Sequence, residues 1–103
     1  MIQNLLRAGK KYRAGHLTAY CDLSEDSLPG RYLAAYLIPK LTGGAVERNR
    51  IKRWLREEIR RVAESQNLPG MMALRFNGMA EDTDHRSLSS ELDKIVEQIR
   101  ADG

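Results

Sequence analysis

The spacing of apolar residues in the first part of the chain predicts one short helix and two strands. Apolar side chains on one face of residues 2–8 favour a helix, which Gly9 would end. Alternating apolar and polar positions over residues 17–23 are typical of a half-buried strand. A nearly continuous apolar run over residues 31–38 predicts a more central strand, which Pro39 ends because proline donates no hydrogen bond to a sheet.

The second part of the chain predicts two longer helices with a strand between them. Residues 45–64 have helical periodicity, and residues 71–76 form a third apolar run, which predicts a strand. Residues 77–86 are polar and acidic, as expected of a solvated loop. Ser87 is a suitable N-cap for a last helix, in which apolar residues recur at helical spacing up to residue 99.

Two short polar segments complete the predicted order of elements. Residues 10–15 predict a basic turn, and residues 24–30 predict a loop that contains Pro29 and Gly30. Helix, strands, helix, strand and helix around one sheet give an α+β sandwich of two layers. The length of 103 residues allows one domain over residues 1–103.

Positive charge is concentrated in the predicted central helix. Residues 48–61 hold seven bases against Glu57 and Glu58, while the whole chain has a net charge of only +3. Neighbouring like charges on a helix are mildly destabilising, so the helix itself gains nothing from this cluster. A polyanionic partner that offsets the repulsion explains it.

Helical geometry divides this segment into one apolar and two basic faces. At about 100° per residue, Ile51, Leu55, Ile59 and Val62 share one side of the helix and would pack on the sheet, with Trp54 beside them. The bases lie on two other faces. One is a stripe beside the apolar side, formed by Arg48, Lys52, Arg56 and Arg60, and the other lies further round and consists of Arg50, Arg53 and Arg61, with Asn49 between the two sets.

These faces predict binding to nucleic acid. Arginine outnumbers lysine among the seven bases, and its planar guanidinium matches phosphate in two hydrogen bonds. Release of counterions strengthens such contacts. The residues alone also fit a stand-alone binding module for structured RNA or DNA, a docking surface for an acidic protein, or a solvated charged helix.

Other chemistry-bearing residues give weaker signals. Cys21 is the only cysteine, which favours a reducing cytoplasm, and no apolar run is long enough to suggest a membrane partner. His16 and His85 lack partners at metal-ligand spacing, so no metal site is predicted in the protein. The acids of residues 81–84 fit a solvated loop better than a Mg²⁺ site, and Tyr36 fits either core or cleft.

The order of residues in the basic helix resembles a known signature. Gly44-Ala45-Val46, then RNRIKR from residue 48, then Arg56-Glu57 are similar to the motif of the bacterial ribonuclease P protein subunit. Residues 7–20, RAGKKYRAGHLTAY, resemble the end of that family's first helix, its glycine and its first strand. The resemblance extends over nearly the whole chain.

The resemblance implies both a fold and an activity. The family fold is an αβββαβα sandwich, in which one mixed sheet packs against helices and a left-handed βαβ crossover surrounds the basic helix. It implies a further short strand near Lys40. The family's catalyst is a large RNA that uses Mg²⁺ to cleave precursor tRNA at the mature 5′ end, and the protein subunit alone is not expected to cleave.

Roles for individual residues also follow from the resemblance. Arg48, Asn49, Arg50 and Arg53 match positions associated with the catalytic RNA. A second set matches a cleft, between the sheet and the basic helix, that holds the 5′ leader of the precursor. This set consists of Lys52 and Arg56 on the helix, Tyr20 on the sheet floor, Ile2 and Leu6 in place of two family phenylalanines, and Lys40 in place of a lysine pair.

Overall fold

The computed structural model describes residues 9–22, 33–65 and 71–102, with Leu33 described by its backbone alone. The predicted helix over residues 2–8, with Ile2 and Leu6, and the predicted loop over residues 24–30 lie outside the described residues. The remaining elements can be compared with the structure.

Four strands of the described part of the chain form one mixed sheet. They are β1 (Lys10–Ala14), β2 (Leu17–Asp22), β3 (Leu33–Leu37) and β4 (Met71–Phe76), in the spatial order β1-β2-β4-β3. β1 and β4 both pair with β2 in antiparallel fashion, whereas β3 pairs with β4 in parallel.

Two helices cover one face of this sheet. α1 (Ala45–Ser65) connects β3 to β4, and α2 (His85–Asp102) follows β4. The buried residues of both helices join one core cluster with alternate residues of the strands, so the described residues form two layers. This confirms the predicted α+β sandwich. The handedness of the β3–α1–β4 crossover stays a prediction.

The alternating pattern of β2 decides which face of the sheet is buried. Leu17, Ala19 and Cys21 are completely buried and contact the core, as their alternation predicts. Burial raises the pKa of the Cys21 thiol to about 12, because the thiolate would lose its hydration. Tyr20 lies on the opposite face and is half-buried.

The prediction of a basic turn at residues 10–15 is wrong, because most of this segment is strand β1. Tyr12 and Ala14 lie toward the core and alternate with exposed Lys11 and Arg13. Basic residues on the outward positions therefore concealed a half-buried strand. The turn itself consists of Gly15 and His16. Gly15 adopts a positive φ of 55°, and a side chain at this position would also collide with Glu91.

Two predictions about the segment around β3 are also wrong. β3 is an edge strand and not a central one, because β4 is its one neighbour among the described strands. Residues Lys40–Thr42 form a 3₁₀ turn and not a strand. Pro39 precedes this turn, and its carbonyl accepts a hydrogen bond from the Thr42 amide at 3.0 Å.

The last helix begins two residues earlier than Ser87, the predicted N-cap. The side chain of Asp84 accepts a hydrogen bond from the Ser87 amide at 2.7 Å, so Asp84 is the capping residue. Hydrogen bonds from Ser87 lower the pKa of the Asp84 carboxyl. The preceding segment, predicted as solvated loop, contains a 3₁₀ turn (Ala80–Asp82) in which Ala80 is buried.

Candidate nucleic-acid interface

α1 buries its apolar side and leaves most of its bases exposed. Ile51, Leu55, Ile59 and Val62 are buried against the sheet and α2, as the periodicity predicts. The predicted RNA-binding residues that are exposed on this helix are Asn49, Arg50, Lys52, Arg53, Arg56, Arg60 and Arg61, whereas Arg48 is half-buried. The fold therefore brings the predicted bases onto one element and turns their charges away from the core.

Ion pairing separates one of these bases from the others. Arg61 contacts Glu58 at 2.8 Å through Nε and Asp93 of α2 at 2.7 Å through Nη2. The other bases of α1 form no ion pair with any described residue. The guanidinium of Arg61 is thus already engaged within the fold, and the charges of the remaining bases are available to another molecule.

Glu58 is the buried acid that joins α1 to α2. Its Oε1 accepts the hydrogen bond from Arg61, and its Oε2 lies 3.0 Å from Nε2 of His85. Burial alone would raise the pKa of this carboxyl, but hydrogen bonds from Ser89, Arg61 and His85 hold it below its usual value. Helical periodicity did not predict that Glu58 would be buried and join the two helices, because an acid among many bases is normally expected on the solvent-exposed side.

Aromatic stacking fixes one edge of the basic surface. The rings of Trp54 and His85 stack at 5.5 Å with an interplanar angle of 16°. The guanidinium carbon of Arg50 lies 5.3 Å from the centre of the Trp54 ring. A cation above an aromatic face is attracted by the ring quadrupole, so Trp54 holds Arg50 in place without neutralising its charge.

Tyr20 lies on the sheet face opposite α1 and α2, here called the distal face. Strand register places Lys11, Tyr20, Ala73 and Ala35 in one row across the sheet on this face. Ala73 is buried, Tyr20 is half-buried and Lys11 is exposed. The Lys11 ammonium lies 6.0 Å from the centre of the Tyr20 ring.

The distal face also carries two arginines that the sequence did not single out. The next row of the register contains Arg13, Thr18 and Arg75. Both arginines are exposed, and Thr18 is buried, where it accepts a hydrogen bond from Asn77 at 3.0 Å. Arg13 and Arg75 can be placed on the same face as Tyr20 only when the pairing register of β1, β2 and β4 is known, and the sequence alone does not give this register.

The structure places the predicted cleft residues in two locations. Arg56 lies 6.0 Å from the ring of Tyr36, which packs at the margin of the core and so shares the face covered by the helices. Tyr20 lies on the distal face, and the space between α1 and the sheet is occupied by the core. Lys52 is exposed on α1, and Lys40 is exposed in the 3₁₀ turn at the end of β3.

His16 has a structural position at the turn between β1 and β2. Its backbone amide donates to Glu91 at 2.7 Å, and its Nδ1 lies 2.9 Å from the same carboxylate oxygen. Its ring stacks on Phe76 at 5.5 Å. Over residues 9–22, 33–65 and 71–102, the acids, histidines and cysteine form no group of three that could hold a metal ion, and no helix is long and apolar enough to span a membrane.

Comparison with known proteins identifies one family. The ribonuclease P family matches residues 1–100 of the chain. The ribonuclease P protein component of Streptomyces avermitilis is 33% identical, over 94% of this chain and 80% of that protein.

Two solved structures share the fold. The ribonuclease P protein of Staphylococcus aureus superposes with a TM-score of 0.78 at 22% identity, covering 95% of this chain and 87% of that one. The ribonuclease P protein of Thermotoga maritima gives a TM-score of 0.80 at 16% identity, over 94% and 89% of the two chains. With a family match over nearly its full length, the chain belongs to the ribonuclease P protein family, whose members are protein components of a tRNA-processing ribonucleoprotein.

Proposed function

We propose that this protein binds the catalytic RNA of ribonuclease P and the 5′ leader of precursor tRNA, and so assists Mg²⁺-dependent removal of the leader. The proposal rests on which side chains of α1 are buried and which are exposed without an ion pair. Its apolar side is buried, while Arg50, Arg53, Arg56 and Arg60 are exposed and have no acidic partner among the described residues.

Contact with the catalytic RNA is assigned to the first half of α1. Asn49, Arg50 and Arg53 are exposed on this helix, and Arg48 lies half-buried at its start. Arginine forks form paired hydrogen bonds with phosphate oxygens, and each such contact releases counterions from the RNA. Arg61 is the weakest member of the predicted set, since binding RNA through its guanidinium would compete with Glu58 and Asp93.

Contact with the leader is assigned to the distal face and the adjoining edge of the sheet. Tyr20 offers an aromatic face on which a base stacks whatever its identity, and Lys11, Arg13 and Arg75 surround it with positive charge. Lys52 and Arg56 then extend the path around the β3 edge, where Arg56 lies above Tyr36. A strand that varies in sequence needs this kind of tolerant recognition.

Mg²⁺ is proposed to act through the RNA subunit, where it would activate the water that attacks the phosphodiester. The protein's residues contribute binding and orientation. By neutralising RNA phosphates, the bases of α1 lower the concentration of Mg²⁺ that the assembled enzyme needs to fold and to hold its substrate.

Reconstitution tests this proposal. The protein is mixed with the ribonuclease P RNA of Streptomyces avermitilis and a precursor tRNA, and cleavage is measured across a Mg²⁺ titration. We expect the protein to shift the Mg²⁺ midpoint downward and to increase cleavage at low Mg²⁺. Failure to change either quantity would contradict the proposal.

A matched pair of variants makes the test specific to α1. Arg53→Ala should lose much of the shift, whereas Lys94→Ala removes another exposed base, on α2, and should retain it. If the protein binds RNA tightly without any effect on cleavage, the stand-alone RNA-binding module becomes the better account.

A further inference from the structure

Two large apolar side chains are strongly exposed beside the basic surface. Leu41 is 86% exposed and Val46 is 80% exposed, and they flank the Gly43-Gly44 segment that leads into α1. Among the described residues the only other exposed large apolar side chain is Met79, at 43%. Single exposed apolar residues are common. What distinguishes this pair is that both side chains flank one short turn at the start of the basic helix.

The local structure directs both side chains away from the core. Thr42 is 1% exposed and anchors the 3₁₀ turn from inside, so the adjacent Leu41 is turned outward. A side chain at Gly43 would collide with the carboxylate of Glu47, which folds back over the turn. Val46 lies in the first turn of α1, and its branched side chain has few rotamers in a helix. Contact through Val46 therefore costs little side-chain entropy.

The surroundings of the pair identify the kind of partner. Within four residues of Leu41 or Val46 along the chain, the bases Lys40, Arg48 and Arg50 outnumber the one acid, Glu47. A partner attracted by this positive charge must be anionic and must also offer apolar surface. RNA satisfies both conditions, because its phosphates are charged and the faces of unstacked bases are apolar.

We propose that Leu41 and Val46 pack against the face of a base that is unstacked at a loop, bulge or helix end of the ribonuclease P RNA. This inference rests on the proposed function of α1 and adds a contact that carries no charge. The arginines would then fix the position of the RNA backbone, while the apolar pair would favour RNAs with an exposed base at that position.

The test is the affinity for Streptomyces avermitilis ribonuclease P RNA, measured over a series of KCl concentrations. Leu41→Ala and Val46→Ala should each weaken binding by roughly fivefold to tenfold, as expected when the burial of a partly covered apolar side chain is lost. The slope of log affinity against log salt should stay unchanged, because no phosphate contact is removed. Met79→Ala is the matched control and should bind as the wild type does.

Folding does not confound the experiment, since both residues are exposed and alanine is a better helix former than valine. Circular dichroism of each variant verifies this. Arg53→Ala, measured in the same series, separates the two proposals, because a flatter slope supports phosphate binding by α1 whatever the apolar variants do.

Three results would overturn the inference. Wild-type affinity in the Leu41→Ala/Val46→Ala double variant would show that the pair makes no contact with RNA. A flattened salt slope in that variant would show that it acts by displacing charges. Self-association of the wild type in sedimentation, lost in the double variant while RNA affinity is kept, would assign the pair to contact with a second copy.

Discussion

At the scale of single residues, chemically similar arginines differ in what they touch. Arg53 and Arg60 are exposed without an acidic partner among the described residues, whereas Arg61 is held between Glu58 and Asp93. Arg50 is intermediate, because its cation lies against the Trp54 ring but keeps its charge. Only the contacts made across the fold distinguish these roles.

Tyr20 is the residue whose substitution should reveal leader recognition. Tyr20→Ala removes a stacking surface, which is worth roughly 1–3 kcal/mol per base, and should weaken binding of precursor tRNA to the holoenzyme by about that amount. Binding of mature tRNA, which has no leader, should be unaffected. The measurement is the ratio of the two dissociation constants.

The matched control is Tyr36→Phe, which keeps an aromatic ring beside Arg56 and should preserve that ratio. Equal losses for precursor and mature tRNA in Tyr20→Ala would remove Tyr20 from the leader-binding surface.

Sequence alone predicted those residues whose role depends on local periodicity. Cys21 and the apolar side of α1 are buried as their spacing indicates. Tyr12 could not be assigned, because its hydroxyl donates to Asp102, ninety positions along the chain. Burial of Tyr12 and this hydrogen bond raise the pKa of its hydroxyl to about 12. Leu41 likewise has nothing in its own spacing that predicts 86% exposure.

At the scale of elements, the contacts between α1 and α2 hold the basic helix in one position on the core. Trp54 stacks on His85, and Glu58 receives hydrogen bonds from both His85 and Arg61. Arg61 then reaches Asp93 on α2. A buried carboxylate at the centre of such a network is expected to stabilise the native state only while it remains charged.

Glu58→Gln should lower the free energy of unfolding at pH 7 by roughly 1–3 kcal/mol, since hydrogen bonds to a buried charged group are lost. The folded protein holds the pKa of Glu58 below its ordinary value of 4.5, so the unfolded chain takes up this proton first. The stabilisation is therefore complete above about pH 4.5 and is lost as the pH falls through the folded pKa.

Urea unfolding of wild type and Glu58→Gln at pH 7 and below pH 4.5 measures this effect. The difference between the two proteins should shrink at low pH, and Glu64→Gln, at an exposed position of the same helix, should show no such change. A difference that is independent of pH would show that Glu58 does not act through its charge.

Element prediction succeeded where hydrophobic periodicity was strong and failed where pairing decided the structure. α1 extends over Ala45–Ser65 and β4 over Met71–Phe76, within one residue of their predicted bounds. β1 was missed because its outward bases resemble a turn, and β3 was placed centrally because an apolar run does not reveal its sheet position.

At the scale of the whole molecule, the sheet separates two basic surfaces. The exposed bases of α1 lie on the helical side, and Lys11, Arg13 and Arg75 lie with Tyr20 on the distal face. Such an arrangement allows one small domain to contact two RNA segments without competition between them. The family resemblance predicted the first surface and Tyr20 in the second, whereas the positions of Lys11, Arg13 and Arg75 beside Tyr20 required the sheet register.

The most direct test of the account is the salt dependence of binding to the ribonuclease P RNA. Affinity of the wild type should fall steeply with KCl concentration, and Arg53→Ala should reduce the slope of log affinity against log salt by about one unit, as expected for one lost phosphate contact. Lys94→Ala should keep the wild-type slope. If Arg53→Ala binds with an unchanged slope, the exposed arginine does not contact phosphate, and the assignment of α1 as the RNA-binding helix would be contradicted.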